Sequence, residues 1–224
     1  MNYWSRKDEL AKKAVTHTKE MSKKYKSEIA LSIENTKFYD RQPVLETSGD
    51  LPKIEVVNLD SVSAIHRYSS ENMAVLNFAS YKFPGGGFMR GSSAQEEALC
   101  QHSYLYNVIS DFDKTIYEWN RNNLNKGMYL NRGLYSPDIM FDDKTKCFVI
   151  TVPAPNKSVM LKYGNFTEEE NAKALLHRVK LVVDIATENN VKTLILGAFG
   201  CGVFKQDPVE VATLFKKVLR GSSF

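Results

Sequence analysis

The stretch VLNFASYKFPGGGFMRGSSAQEEALCQHSYLYNVI, residues 75–109, divides into three parts. Residues 75–79 are a short apolar run of strand type. Pro84, Gly85, Gly86 and Gly87 form a breaker cluster that neither a helix nor a strand interior accommodates well. Over residues 94–109, Ala94 leads and Ala98, Leu105 and Ile109 share one face, which predicts a helix. A strand therefore runs into a glycine-rich turn, and the turn feeds a helix with Glu96 and Glu97 in its first turns. Consecutive glycines let several backbone N–H groups converge on one point, which suits a phosphate. Two neighbouring carboxylates suit proton transfer.

The rest of the chain repeats this pattern once. Residues 191–196 (VKTLIL) predict a strand, and residues 197–204 (GAFGCGVF) a second glycine loop. Asp207 and Pro208 then open a last helix to Leu219, with Asp as N-cap and Pro at the first helical position. In an open α/β sheet such loops emerge together beyond the strands' carboxyl ends, where ligands sit. Two of them there could hold a diphosphate from both sides.

Other elements follow from local signals. Residues 5–25 predict a helix with an apolar stripe of Leu10, Ala14, Met21 and Tyr25, packed on the core rather than on a membrane. Residues 26–48 predict one or two strands with a loop at 40–43, and residues 54–59 another strand. Asp60 caps a short helix through Arg67. Residues 110–133 are polar and Asn-rich, read as a helix end followed by irregular chain. Residues 148–152 (FVITV) are a buried strand ended by Pro153-Ala154-Pro155-Asn156. Thr167 and Glu170 form a capping box for a long helix over 167–189, with Ala174, Leu175, Val179, Val182 and Ile185 on its core face. Strands alternating with helices give an α/β layered fold.

The 224 residues fit one domain, with 1–50 as an N-terminal extension packed on it. Composition is that of a folded protein, at 43% hydrophobic and 25% charged. A net charge of +4 suits an anionic ligand and is too small for a nucleic-acid surface. Cys100, Cys147 and Cys201 are odd in number and lack metal-ligand spacing, which predicts a reducing, cytoplasmic setting and no structural zinc. No signal peptide or membrane span is expected.

Familiar nucleotide motifs fail. Gly86 and Gly91 have P-loop spacing, but Ser92 stands where that motif needs Lys; Arg90 stands where a dinucleotide fingerprint needs its third glycine. Capping boxes of Ser93 with Glu96, or Ser92 with Gln95, would account for one of these polar residues without function, and neither accounts for Glu97. His102, the histidine nearest the stretch, is read as structural or solvated.

The pattern L-N-F-A-S-x-x-x-P-G-G-G-F-x-x-G-x-x-A-Q-E-E-x-L resembles the signature of microbial-type poly(ADP-ribose) glycohydrolases of the macrodomain superfamily. Tyr135-Ser136-Pro137-Asp138, Pro153-Ala154-Pro155-Asn156 and residues 197–204 look like further family segments in family order. The resemblance implies a three-layer α/β/α macrodomain with a mixed central sheet and an N-terminal helical extension. It implies ADP-ribose, or poly(ADP-ribose) on modified proteins, as ligand, and hydrolysis of the O-glycosidic ribose–ribose bond of the polymer, or of ADP-ribose attached to another acceptor, with release of ADP-ribose. Glu97 would act as general acid and then base, and Glu96 would orient the distal ribose. Gly85, Gly86 and Gly87 would approach the diphosphate and distal ribose, Gln95 would bind substrate, and Asn77 would contact a ribose or position the loop. Gly200, Cys201, Gly202, Val203 and Phe204 would form the second diphosphate loop, with Phe204 against the ribose. No metal or cofactor is implied, a monomer is expected, and nucleic acid would enter only as an ADP-ribosylated acceptor. Against this stand a reader module that binds ADP-ribose without cleaving it, and an adaptor domain whose glycine loops are only turns.

Overall fold

The computed structural model describes residues 3–43, 52–220 and 222. Five strands form one mixed sheet in the order β1-β3-β4-β2-β5: β1 (Lys37–Asp40), β2 (Met73–Phe78), β3 (Arg132–Met140), β4 (Lys146–Val152) and β5 (Thr193–Ile195). β2 runs parallel to β4 and β5, whereas β3 is antiparallel to both β1 and β4. Strand β2 is apolar on consecutive residues because both its faces are covered. Met73 and Val75 join one core cluster; Ala74 and Leu76 join the other.

The first cluster packs the sheet against α1 (Tyr3–Lys24), α2 (Lys26–Asn35), α3 (Ser61–Arg67), α4 (Gln95–Gln101) and α5 (Leu105–Ile109). The second packs it against α8 (Glu168–Glu188) and α9 (Pro208–Leu219). The result is the expected three-layer α/β/α arrangement. Two further short helices are α6 (Glu118–Asn122) and α7 (Lys157–Tyr163).

Local chemistry set the predicted caps. Asp60 accepts from Ser63 N, Asp207 from Val209 N and Glu210 N, and Thr167 with Glu170 forms the reciprocal box. Of the face named on α8, Leu175, Val179, Val182 and Ile185 are buried and Ala174 is half-buried.

Four readings need correction. The helix expected over 94–109 is two helices, α4 and α5, because the Ser103 hydroxyl takes up Leu99 O and Leu105 N at the break. Ala98 consequently faces solvent, and Leu99 and Cys100 are buried instead. Residues 26–35 form α2 rather than a strand; of that segment only β1 is extended, and residues 44–48 lie outside the described residues, as do 44–50 of the 1–50 extension. Residues 54–59 form no strand, and Ile54, Val56 and Leu59 stand exposed. Finally, β3 escaped notice. Its alternation is interrupted at Pro137 and Asp138, where the register shifts and Asp138 adopts φ +56°.

Candidate active site

The three parallel strands end on one edge of the sheet. From β4 comes Pro153-Ala154-Pro155-Asn156, from β2 the glycine turn at 84–87, and from β5 the loop at 197–204. This gathers the two glycine loops and α4 beyond the strands' carboxyl ends, the usual ligand position in such sheets.

The glycine turn and α4 are locked together by the two glutamates. Glu96 accepts from Ser80 N at 2.7 Å and from Asn77 Nδ2 at 3.3 Å. Glu97 accepts from Gly87 N at 2.8 Å and Ala94 N at 2.9 Å. The second bond revises the capping assignment. Ala94 is the N-cap, so Glu97 is the N3 residue that reaches back to the cap, and neither Ser92 nor Ser93 caps α4. Glu97 is therefore structurally explained after all, through the register one residue beyond Ser93.

Gly86 stands between the two carboxylates. It adopts φ +59°, and a Cβ there would lie 2.8 Å from Glu97 Oε1 and 2.9 Å from Glu96 Oε2. Only a residue without a side chain fits. Gly85, at φ +65°, is similarly filled: a Cβ would meet the Tyr106 ring at 2.7 Å and Cys100 Sγ at 3.3 Å. Burial, with Glu96 and Glu97 nearby, pushes the Cys100 thiol well up, so it is an inert filler beneath the turn.

Both glutamates are buried, at 4% and 8% exposed. Burial raises the Glu96 carboxyl to about 8; the Ser80 and Asn77 hydrogen bonds oppose this, and the Glu97 charge adds to it. Asn77, at the end of β2, donates to both Glu96 and Thr151 Oγ1, while its buried Oδ1 has no partner among the described residues. Gln95 bolts α4 to β2 and α3. Its amide accepts from Phe78 N at 2.9 Å and donates to Leu76 O at 2.8 Å and Ser61 Oγ at 3.1 Å.

The two loops differ in what their amides do. In the first, Gly86 N donates to Phe83 O and Gly87 N to Glu97. In the second, the amides of Gly200, Gly202, Val203 and Phe204 donate to no acceptor among the described residues. Gly202 has open space at its Cβ position and Val203 is 77% exposed. Gly200, at φ +74°, packs on Ala154 and Gln206. The loop is held at its base by Gln206, which is paired in both directions with Asn171 and donates to Pro155 O. Phe204 is half-buried and lies edge-on to Tyr129 at 5.9 Å; Tyr129 stacks on Tyr81 at 4.3 Å. Cys201 directs its thiol to Phe199 O, away from the amides of this loop.

Sequence reasoning did not single out Ser80, Thr151, Tyr129 or Arg178. Arg178 carried a readable signal, an arginine inside the apolar repeat of α8. It is 1% exposed and donates to Pro153 O, Met128 O and Asn131 Oδ1 beneath the cleft.

The three-layer fold thus carries a buried carboxylate pair at the glycine turn and a second loop of free amides at the same sheet edge. Residues 6–142 match the family described as microbial-type PARG, catalytic domain, and the chain belongs to that poly(ADP-ribose) glycohydrolase family. Among solved structures it is similar to the poly(ADP-ribose) glycohydrolase of Thermomonospora curvata, with 27% identity and a TM-score of 0.81 over 93% of this chain and 86% of that one. It is also similar to the Deinococcus radiodurans glycohydrolase in complex with ADP-ribose, with 30% identity, a TM-score of 0.73 and 87% and 85% coverage. The T. curvata enzyme bound to the inhibitor ADP-HPD matches at 26% identity, with a TM-score of 0.76 over 93% and 85%. A search by sequence among curated proteins finds no match.

Proposed function

We propose that this poly(ADP-ribose) glycohydrolase cleaves the ribose–ribose bond at Gly86, with Glu97 as the catalytic acid and base. The observation that carries this reading is the convergence of both carboxylates on the one position where a side chain would block them. The free amides at Gly200, Gly202, Val203 and Phe204 supply donors for the diphosphate, and the Phe204 ring a surface for the distal ribose. The ADP-ribose seen in the D. radiodurans complex is the ligand these donors suit.

In this arrangement the amides of the first loop act on substrate indirectly. They aim the glutamates, while Gln95 and Asn77 hold the helix and Glu96 in place. Glu97, protonated, gives its proton to the oxygen that joins the two riboses. The C–O bond breaks, and the distal ribose takes on oxocarbenium character. Water attacks that carbon and loses its proton to the Glu97 carboxylate, which restores the acid. One carboxyl serves both steps, unlike the paired scheme of most glycosidases. Glu96 contacts the distal ribose hydroxyls as its orienting group. Residues 1–224 act as one unit in this proposal, since α1, α2 and α5 share a core cluster with β2.

Glu97→Gln tests the assignment. ADP-ribose release from poly(ADP-ribosyl)ated protein should fall by about 10²–10⁴-fold, with ADP-ribose affinity retained in calorimetry. Full turnover by the variant would remove Glu97 from the chemistry. Wild-type protein that binds ADP-ribose and releases none would make the chain a reader.

A further inference from the structure

Directly outside the glycine turn lies a group of cations that the mechanism above does not use. Phe83 is half-buried between two guanidinium groups, Arg90 at 4.8 Å and Arg121 at 5.6 Å from its ring centre. Arg90 Nη2 donates to Gly86 O at 3.1 Å. Arg121 Nη1 donates to Lys82 O at 2.9 Å and to Asp113 at 2.8 Å. Lys82 and Arg90 are exposed, and neither has a carboxylate partner among the described residues. Of the three cations only Arg121 is paired with an acidic residue, Asp113, and Arg90 grips the carbonyl of Gly86, the residue that both carboxylates crowd.

A clamp on the turn accounts for part of this. It explains Arg90 Nη2 on Gly86 O and Arg121 on Lys82 O. It does not explain the Lys82 ammonium, nor the remaining Arg90 N–H groups, which meet no acceptor among the described residues. An exposed guanidinium with free edges, separated from a second guanidinium by a ring that is next in sequence to an exposed lysine, has the chemistry to hold a diphosphate. The bond cleaved at Gly86 joins the unit in the cleft to a neighbouring unit that carries its own diphosphate. That second diphosphate must cross the surface within one ADP-ribose length of Gly86.

Resting on the reading of Glu97 and Gly86 given above, we propose that Lys82, Arg90 and Arg121 form a subsite for the diphosphate of the neighbouring ADP-ribose unit. The attraction acts on the departing chain and lowers KM for polymer; the proton transfers at Glu97 are unaffected by it.

The test compares free poly(ADP-ribose) with an ADP-ribose aryl glycoside whose leaving group is uncharged. Lys82→Gln and Arg90→Gln should each raise the ratio of polymer KM to aryl-glycoside KM by about two- to fivefold, the range of an exposed ion contact. Each should also flatten the log–log dependence of polymer KM on salt by about 0.7, the value for one contact to a single-stranded polyanion. Equal losses on both substrates, or no change in the ratio for Lys82→Gln, would reduce the group to a clamp on the turn and overturn the subsite. An effect confined to polymer attached to protein would assign the cations to the acceptor and overturn it as well. If wild-type protein releases ADP-ribose from neither substrate, it is the reading of Glu97 that fails.

Discussion

Glu96 is a carboxyl that folding has placed where its charge is disfavoured. Burial outweighs the donors at Ser80 and Asn77 and holds it at about 8, against 4.5 for the unperturbed group. The sign of the linkage is set by which state holds the proton. Between these values the folded chain keeps the Glu96 proton and the unfolded chain has lost it, so stability falls as pH rises from about 4.5 to about 8 and levels off above. Glu96→Gln should remove that decline. Urea midpoints of the two proteins would converge toward pH 5, with the variant the more stable at pH 8; parallel pH profiles would show that Glu96 titrates alike in both states. The variant should also bind ADP-ribose with an affinity that no longer depends on pH over that window. Residue identity here was readable from the Gln-Glu-Glu motif. What each glutamate bonds was not, because the start of α4 differs by one residue from the register that the serines suggest, and one residue turns a helical side chain by about 100°.

At the scale of elements, the strand–loop–helix units were legible because apolar runs, glycine clusters and Asp or Thr caps each act within a few residues. β3 and α2 were not. The first is broken by Pro137 and Asp138, and the second has a helix face completed only by tertiary contacts such as Ser32 Oγ to Pro137 O at 2.6 Å. Arg178 belongs to this scale, since it lets α8 organise segments on the far side of the sheet edge. Its guanidinium, pulled down to about 9 by burial, has no carboxylate partner among the described residues and is satisfied by carbonyls. Next to its acceptor Met128 O, Tyr129 sits at φ +59°, a conformation worth about 1–3 kcal/mol of strain for a bulky residue. Arg178 grips the chain on both sides of Tyr129, and Asn125 Nδ2 holds the Tyr129 carbonyl at 3.2 Å. Arg178→Met would orphan two buried carbonyls, at about 1–3 kcal/mol each, partly offset by no longer burying a charge. The expected result is a clear drop in urea midpoint together with weaker ADP-ribose binding, because the Tyr129 ring supports Phe204. A destabilised variant with unchanged affinity would show that Phe204 keeps its place without that support.

For the whole molecule, the sequence motif pointed to the family and the layered fold, but not to how the N-terminal region serves the site. No local signal in residues 3–24 says what the helix rests on; that depends on Gly91, far away in sequence. Gly91 is buried at φ +75°, and a Cβ there would run into the Lys7 carbonyl of α1. The helix backbone therefore lies directly on the short 3-10 turn Phe88–Arg90 that follows the glycine cluster. Thr18 donates to Met89 Sδ at 3.8 Å, and His17 Nε2 lies 2.8 Å from Ser103 O at the α4–α5 break. α1 thus braces both ends of the segment that aims Glu96 and Glu97. Gly91→Val would force a β-branched residue into a left-handed conformation, which costs about 1–2 kcal/mol, and would lever α1 off the turn besides. For a chain of this size each kcal/mol corresponds to roughly 2–4 °C, so a fall in Tm of at least about 2 °C is expected. The deciding measurement is ADP-ribose release per folded molecule, taken well below the variant's Tm. A brace on the segment that carries Glu96 and Glu97 requires that figure to fall along with Tm. If turnover per folded molecule stays at the wild-type level while Tm drops, α1 stabilises the core and leaves the aim of the two glutamates to the glycine turn alone.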